Sequence, residues 1–529
     1  MIEFRQATPE DAPAIHRLNY ETFVEEIPQH QPNEERRLVD RFYDTSTYWV
    51  GEQDGHLVAM CALRTAHPFS LEQKGVRLPP GEWMEIRLLA VTRSYRNTRT
   101  FAGLMRAVME DALARGVEGV VISGTTREQK LYRRFGFVPF APPVGPVEAR
   151  YIPMLLTRAG FFESETSAVL RPKLLLAGPV ELSLNVRQAL TSQPMPHRSN
   201  EAKRLLQNVQ AKLSRLVKLP YMYTLLGSGT VANDAVAVRL AGRGLILDTG
   251  EFGKRLMDHA RRAGLLFDVL AMPHSEADWR EVERYAPRWI WTVHCETSTG
   301  ELVDMERLRR YAGEHDTIVA IDAISAVGTF EIDYSFADLV TFVSGKALRA
   351  APGLAFVAMK KRAEPIRRIP RYLDLAQYDP IAFTQSMSLI KALEVALDEL
   401  TEAEIETHQR KMDVLQETFA KHGVPFKKKP NQAPGILALH LPDPLSSSEL
   451  GNQLHYHGYR VQFESDYLKA ANCLQISTMG WTTTRDVRAV ATLVATWMQQ
   501  KTATMERDGV KPESLAGPND ESYDRGVLS

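Results

Sequence analysis

Five short apolar runs recur across the middle of the chain, LILDTG, FDVLAM, WIWTVHCET, TIVAIDA and LVTFVSG, each closing on a polar or small residue. They do not alternate apolar with polar, so each strand must be covered on both faces. The helical-period segments between them supply that cover. Strand and helix alternating in this way specify a mostly parallel, doubly wound α/β sheet. Such a sheet gathers ligands at the C-terminal ends of its strands, which makes the closing residues of these runs the first candidates for function.

A second alternation precedes it. TYWVGEQDG and HLVAMCALR read as a hairpin turned at EQDG, and EIRLLAV as a further strand. FAGLMRAVMEDALARG then reads as an amphipathic helix ending at Gly116, and VEGVVISG as the strand after it. Residues 158–173, RAGFFESETSAVLRPK, lose periodicity after the Pro-rich APPVGPV, the composition of a linker. The expected division of the 529 residues is an α/β domain over 1–157, a linker over 158–173 and a larger domain over 174–500. Within the last, a long helical pattern from Ser386 leads into a smaller α/β region. Residues 501–529, polar and rich in Pro, Gly and acids, are expected to be disordered.

Sixty-four Lys plus Arg face 65 Asp plus Glu, a formal net charge of -1, which gives no electrostatic case for nucleic acid or an anionic membrane. No window approaches the roughly 20 apolar residues of a membrane span. The N-terminus, MIEFRQATPEDAPAIHRL, carries acids where a signal peptide needs an apolar core. A cytoplasmic protein acting on small molecules is expected. Cys61, Cys295 and Cys473 are too few and too scattered for a disulfide framework or a structural zinc site, so they are expected to be reduced and no metal is expected.

GSGT, Gly227 to Thr230, opens a helix, so backbone amides, two hydroxyls and the helix dipole converge on one point suited to phosphate. Read alone, the same residues are a plain N-cap. IDAISAVG ends an apolar run at Asp322, and 24 residues later TFVSGKALRAAPG places Lys346 just past another. Alone, that carboxylate and lysine could be a structural ion pair. Together the pieces meet the needs of pyridoxal 5'-phosphate (PLP): a lysine for its Schiff base, a carboxylate for the pyridine nitrogen, a phosphate cup and an aromatic face.

Over about residues 174–500 this order of motifs resembles the class V aminotransferases of fold type I, in the branch of alanine-glyoxylate and 2-aminoethylphosphonate-pyruvate transaminases. LLLAGPVELS and MPHRSNE resemble the family's opening segments, and GSGTVANDA its phosphate cup. The resemblance implies Ser228, Gly229 and Thr230 at the phosphate, Phe252 of TGEFGKR stacked on the ring, and Thr297 of HCETSTG at its phenolic oxygen. It implies Asp322 at the pyridine nitrogen, Ile324 beneath the ring and Lys346 as the Schiff-base lysine and proton carrier. Thr384, in FTQSMSLIKALEVAL, would reach the phosphate of a neighbouring subunit, which implies a homodimer. Two positions depart from the pattern. Gly345 stands where relatives often carry a polar residue, and Gln475 of NCLQISTMG stands where the family has the arginine that clamps a substrate α-carboxylate. A glutamine lacks the charge and the fork geometry of guanidinium. Arg349 is the first candidate to compensate, with Arg485 the second.

Residues 1–157 resemble the GNAT acyltransferase superfamily, through WMEIRLLAV, the turn RSYRNTRTF, the helix after it, VEGVVISG and LYRRFGFVPF. The resemblance implies acetyl-CoA or another acyl-CoA as co-substrate, its pyrophosphate at the turn Arg96 to Phe101. That turn lacks the family's glycines, so Arg96 and Arg99 would carry more of the charge. Tyr132 stands where the family has a tyrosine that protonates the departing thiolate, and is equally read as a packed tyrosine. ETFVEE resembles, faintly, the autoinducer-synthase relatives.

The leading expectation is a PLP-dependent transaminase moving an amino group between a small primary amine or amino acid and a 2-oxo acid, fused to an N-acyltransferase. One alternative keeps the fold and makes the reaction a lyase or desulfurase-like elimination. Another makes the N-terminal half a non-catalytic sensing or docking module.

Overall fold

The computed structural model describes residues 1–507 apart from 28, 97, 127–128, 146–149, 164–169, 272, 274–275, 380 and 430. The described chain divides into two compact units, one of Met1–Lys173 with Glu449–Arg460 and residues 496–507, the other of Leu174–Ser448 and Val461–Ala495. The final helix runs Thr484–Arg507, so residues 501–507, expected in the disordered tail, are helical. The expectation of disorder over 508–529 lies outside the described residues, as does part of the expected linker, 164–169.

The first unit is a seven-stranded sheet of order β1 (Glu3–Gln6), β2 (Thr47–Gln53), β3 (His56–Arg64), β4 (Trp83–Val91), β5 (Gly119–Thr125), β7 (Tyr151–Thr157) and β6 (Val138–Pro139). β2 and β3 form the expected hairpin, with Asp54 at φ +53° and Gly55 at φ +79° in its turn. Among the described residues of this sheet only β4 and β5 run parallel, and their ladder ends at Ile86 and Ile122, so the strands separate beyond it. The helix Thr98–Ala114 presses Phe101, Leu104, Met105 and Val108 against Met84, Ile86, Val120 and Ile122. Residues from far down the chain complete this unit. Gln453 accepts from the Phe4 N–H at 2.9 Å and donates to the Phe4 carbonyl at 2.8 Å, and the Arg106 guanidinium donates to the Tyr456 carbonyl at 2.8 Å.

The second unit holds the doubly wound sheet. Its strands lie in the order Leu266–Ala271, Arg243–Asp248, Trp289–Val293, Ile318–Asp322, Leu339–Val343, Leu354–Met359 and Tyr221–Leu226. The first five pair in parallel, and Leu354–Met359 alone runs against both its neighbours. The central runs are buried on both faces, as their unbroken apolar character requires: Trp289, Ile290, Trp291, Val319, Ala320 and Val340 are all fully buried. The long helical pattern from Ser386 divides into Met387–Glu399 and Glu402–His422. Thr401 interrupts it by capping the second helix, its hydroxyl accepting from the Glu404 N–H at 3.3 Å. Gly423 then ends that helix at φ +69°. Ile436–His440 pairs antiparallel with Cys473–Ser477 in the smaller region.

Candidate active site

In the second unit the C-terminal ends of neighbouring strands bring the sequence candidates together. Strand Ile318–Asp322 delivers Asp322 into the interior, where burial raises its carboxyl above the usual range against two hydrogen bonds and the Lys346 charge. One oxygen accepts from the Ile324 N–H at 3.0 Å, the other from Asn233 Nδ2 at 2.8 Å. The Asn233 amide cannot turn over, because its oxygen accepts the Thr341 hydroxyl at 2.8 Å. Asn233 lies on the helix Gly229–Ala237, so this relay ties Asp322 to the element that begins with GSGT.

That helix starts at Ser228, whose side chain makes no capping bond and stays exposed beside exposed Thr230, leaving both hydroxyls and the first amides available. Gly229 is demanded by packing, since a Cβ there would stand 2.3 Å from Ile324 Cδ1. Ile324 is thereby seated against the mouth of the cup.

Lys346 follows strand Leu339–Val343 on a turn held by Ser344, whose hydroxyl donates to the Ala351 carbonyl at 2.6 Å. Burial lowers the Lys346 ammonium to about 8, opposed by the nearby Cys295 and Asp322 and aided by the charge of Arg255. Gly178, at φ +149°, passes so close that a Cβ would lie 3.1 Å from Lys346 Cδ and Cε. Gly345 is likewise fixed by packing, a Cβ there meeting Pro352 at 2.9 Å, which explains the missing polar side chain at that position.

Phe252 sits in the first turn of helix Glu251–Arg262, and the Arg255 guanidinium carbon lies 4.6 Å from its ring centre. Buried Glu296 anchors that turn. It accepts from the Phe252 N–H at 3.1 Å, the Gly253 N–H at 3.4 Å, the Thr249 hydroxyl at 2.9 Å, and Ser298 through N–H at 3.0 Å and hydroxyl at 2.5 Å. Thr297 is buried beside it, its carbonyl accepting from Gln475 Nε2 at 2.5 Å. His294 is neutral, lowered to about 3 by burial, with the Tyr334 hydroxyl 2.5 Å from Nδ1. Burial pushes the Cys295 thiol up to about 12.

The two substrate-binding candidates, Arg349 and Gln475, are both engaged within the protein. Arg349 is not an open anion receptor: at φ +56° its side chain turns inward, is 3% exposed, and pairs with Glu404 at 2.7 Å while Nε donates to the Met479 carbonyl at 3.3 Å. Gln475, 1% exposed, spends its amide N–H on Thr297 and its oxygen on the Tyr467 hydroxyl at 3.4 Å. Arg485 is exposed. Thr384 is exposed, ahead of the helix Met387–Glu399. Asn233, Glu296, His294, Gly178 and Arg255 were not singled out from sequence. A signal for Glu296 existed in its place within HCETSTG, and one for Arg255 in its helical spacing from Phe252.

In the first unit, Tyr132 lies on the helix Gln129–Arg134 against β5, where a Cβ on Gly124 would meet its ring at 3.2 Å. Arg96 is held by Glu26 at 2.5 Å and by the Val91 carbonyl at 2.8 Å, which neutralises much of the charge expected of it. Arg99 is exposed in the first turn of the helix Thr98–Ala114. Asn97 of the intervening turn lies outside the described residues.

Residues 12–137 match the Acetyltransferase (GNAT) family. The chain carries a GNAT domain. The rest has aminotransferase homologues. A 2-aminoethylphosphonate--pyruvate transaminase of Vibrio vulnificus is 28% identical over 46% of this chain and 74% of its own length. A protein of Synechococcus sp. named "Soluble hydrogenase, small subunit" is 28% identical over 48% of this chain and 73% of its own. Among solved structures, an aspartate aminotransferase of subgroup IV from Thermus thermophilus superposes with a TM-score of 0.55 at 25% identity, covering 62% of this chain and 99% of that one. The fold is thus mixed α/β, a GNAT domain followed by a fold type I aminotransferase architecture. No helix among the described residues is long and apolar enough to cross a membrane.

Proposed function

We propose that the second unit is a PLP-dependent transaminase acting between a small amine or amino acid and a 2-oxo acid, and that the GNAT domain is an acyltransferase using an acyl-CoA. The observation that carries the first part is the buried Asp322, oriented by Asn233 and Thr341, within reach of the charge of a lysine lowered to about 8. The residues fit the cofactor: free hydroxyls at Ser228 and Thr230 over a helix N-terminus for its phosphate, Phe252 and Ile324 for the faces of its ring, Thr297 and Asp322 for its polar edges. Bound there, PLP supplies an electron-accepting ring for the pair left on the substrate carbon when its proton departs. The chain does the rest. Asp322 holds the proton on the ring nitrogen, and Lys346, lowered to about 8 and so neutral at mildly alkaline pH, takes the substrate proton at Nζ and returns it one position away. Glu296 fixes the turn that presents Phe252.

Cys295, with its thiol pushed up to about 12, is a poor nucleophile, which favours transamination over a desulfurase-like elimination. Gln475 and Arg349 are both engaged within the protein, whereas half-exposed Arg255, beside Phe252 and the Lys346 charge, makes only a 3.4 Å surface pair with Glu251, and we assign it the anionic group of the substrate. A homodimer in which exposed Thr384 meets the partner's phosphate, and a cytoplasmic setting, complete the reading. A monomer of full activity by light scattering would remove the dimer from it.

Borohydride reduction of the loaded protein followed by peptide mapping is expected to fix the cofactor on Lys346, and label on another lysine would overturn the assignment. In half-reactions of alanine, 2-aminoethylphosphonate and simple amines, Arg255→Gln is expected to weaken the two anionic substrates by about tenfold or more, one charge-assisted contact, and to leave simple amines unchanged. Equal losses for all three would return the anion to another residue. A wild type that handles alanine as efficiently as Gln475→Arg would show that no clamp was lost.

A further inference from the structure

One face of the GNAT domain's sheet, the one turned away from the helix Thr98–Ala114, carries positive charge that its acids do not balance. Register places Tyr48, Arg64, Glu85, Arg87 and Ser123 together on it, since Tyr48 and Arg87 both face Ala62, Arg64 faces Glu85, and Glu85 faces Val121, two residues before Ser123. Over this face lies the segment Asp40–Phe42. The guanidinium carbons of Arg64, Arg41 and Arg87 converge on the Phe42 ring, 3.9, 4.5 and 4.5 Å from its centre.

Two carboxylates are near, and both are occupied. Asp40 accepts from Arg87 Nη2 at 3.0 Å and from the Tyr48 hydroxyl at 3.2 Å. Glu85 accepts from the N–H and hydroxyl of Ser70 and from the Leu71 N–H. The other polar partners are neutral: Thr45 accepts from Arg64 Nη1 at 2.6 Å, and Gln73 from Arg41 Nη2. Buried polar atoms are left over. Arg64 Nε, Arg87 Nη1, Ser46 Oγ and Ser123 Oγ have no hydrogen-bond partner among the described residues, and Arg64 is only 5% exposed. Buried donors without partners are rare because each loses its water for nothing. They cluster where the β4–β5 ladder ends and the strands part, at Arg87, with Leu88 at φ +48° next to it.

We propose that Arg41, Arg64 and Arg87 form a subsite for the carboxylate or phosphonate of an amine that the GNAT domain acylates. The assignment of an amine acceptor rests on the acyltransferase reading, whereas the anion site stands on the cluster itself. Planar guanidinium forks whose buried N–H groups lack partners match a planar or tetrahedral oxyanion, and the Phe42 ring stacks among the three forks. The acceptor would then be an amino acid or aminophosphonate, the class of compound that transamination produces from an oxo acid.

The test is calorimetric, on the full chain with the Lys346 site closed by borohydride reduction of the loaded protein. Glycine, 2-aminoethylphosphonate, ethanolamine and coenzyme A are the probes. Glycine or 2-aminoethylphosphonate is expected to bind at least tenfold tighter than ethanolamine, and Arg87→Gln and Arg41→Gln to remove that preference. Arg41 is exposed, so its variant keeps the test open even if a change at buried Arg64 prevents folding. Equal binding of ethanolamine, or unchanged affinities in both variants, would overturn the proposal. So would loss of coenzyme A binding alone, which would assign the arginines to the carrier's phosphates. Acyl transfer to glycine or 2-aminoethylphosphonate that ignores both variants would refute the subsite and leave the acyltransferase reading standing. Anion binding by an enzyme inert towards every acyl-CoA would do the reverse.

Discussion

Lys346→Ala is expected to slow the amino-transfer half-reaction by about 10²–10⁴-fold, the usual worth of a positioned proton carrier, with the fold intact. Burial already holds the ammonium at about 8, so the neutral amine is available at mildly alkaline pH and loading of the cofactor should rise with pH through that value. The same shift has a stability consequence of known sign. Between about 8 and the ordinary lysine value of 10.5 the unfolded chain binds the extra proton, so stability rises with pH across that window. Lys346→Ala should flatten this rise. Single-turnover absorbance measures the rate, and urea unfolding at pH 7.5 and 10 measures the slope. Partial recovery of rate with added primary amine would tie the loss to proton transfer. A variant as fast as wild type would move that proton to another group.

The parts of the site carried by strand ends were legible in the sequence because an apolar run that stops on Asp322 or just before Lys346 marks both the strand and its exit. What completes the site was hidden in distance along the chain. Asn233 meets Asp322 across 89 residues, and Glu296 meets Thr249 across 47, and neither pairing leaves a local pattern. The surroundings of Arg349 were hidden for a related reason: spacing puts it near the lysine, and a left-handed backbone turns it inward onto Glu404, the ordinary packing role that such an arginine often has. The helix from Ser386 reads as continuous because the break at Leu400 and Thr401 uses ordinary residues, and only the cap betrays it. Residues 449–460 carry helical periodicity whichever unit they serve, so their packing with Met1–Lys173 follows from contacts such as Gln453 with Phe4, across 449 residues.

Glu296→Ala is expected to cost about 2–4 kcal/mol of stability and to release the cofactor ring from its aromatic support. Burial raises this carboxyl above its usual range, while its donors draw it back. Truncation leaves the Phe252 and Gly253 N–H groups and two hydroxyls without acceptors in an interior that admits little water. Glu296→Gln should not rescue it. Both carboxylate oxygens accept, one from Ser298 and the other from Thr249, Phe252 and Gly253, so an amide must turn an NH₂ group towards donors whichever way it is placed. If Glu296 served only to fill space, the isosteric glutamine would restore both stability and cofactor affinity. Denaturant midpoints and PLP titration of the two variants decide between these. A glutamine variant that unfolds and binds PLP like wild type would reduce Glu296 to packing and leave the Phe252 turn held by its helix alone.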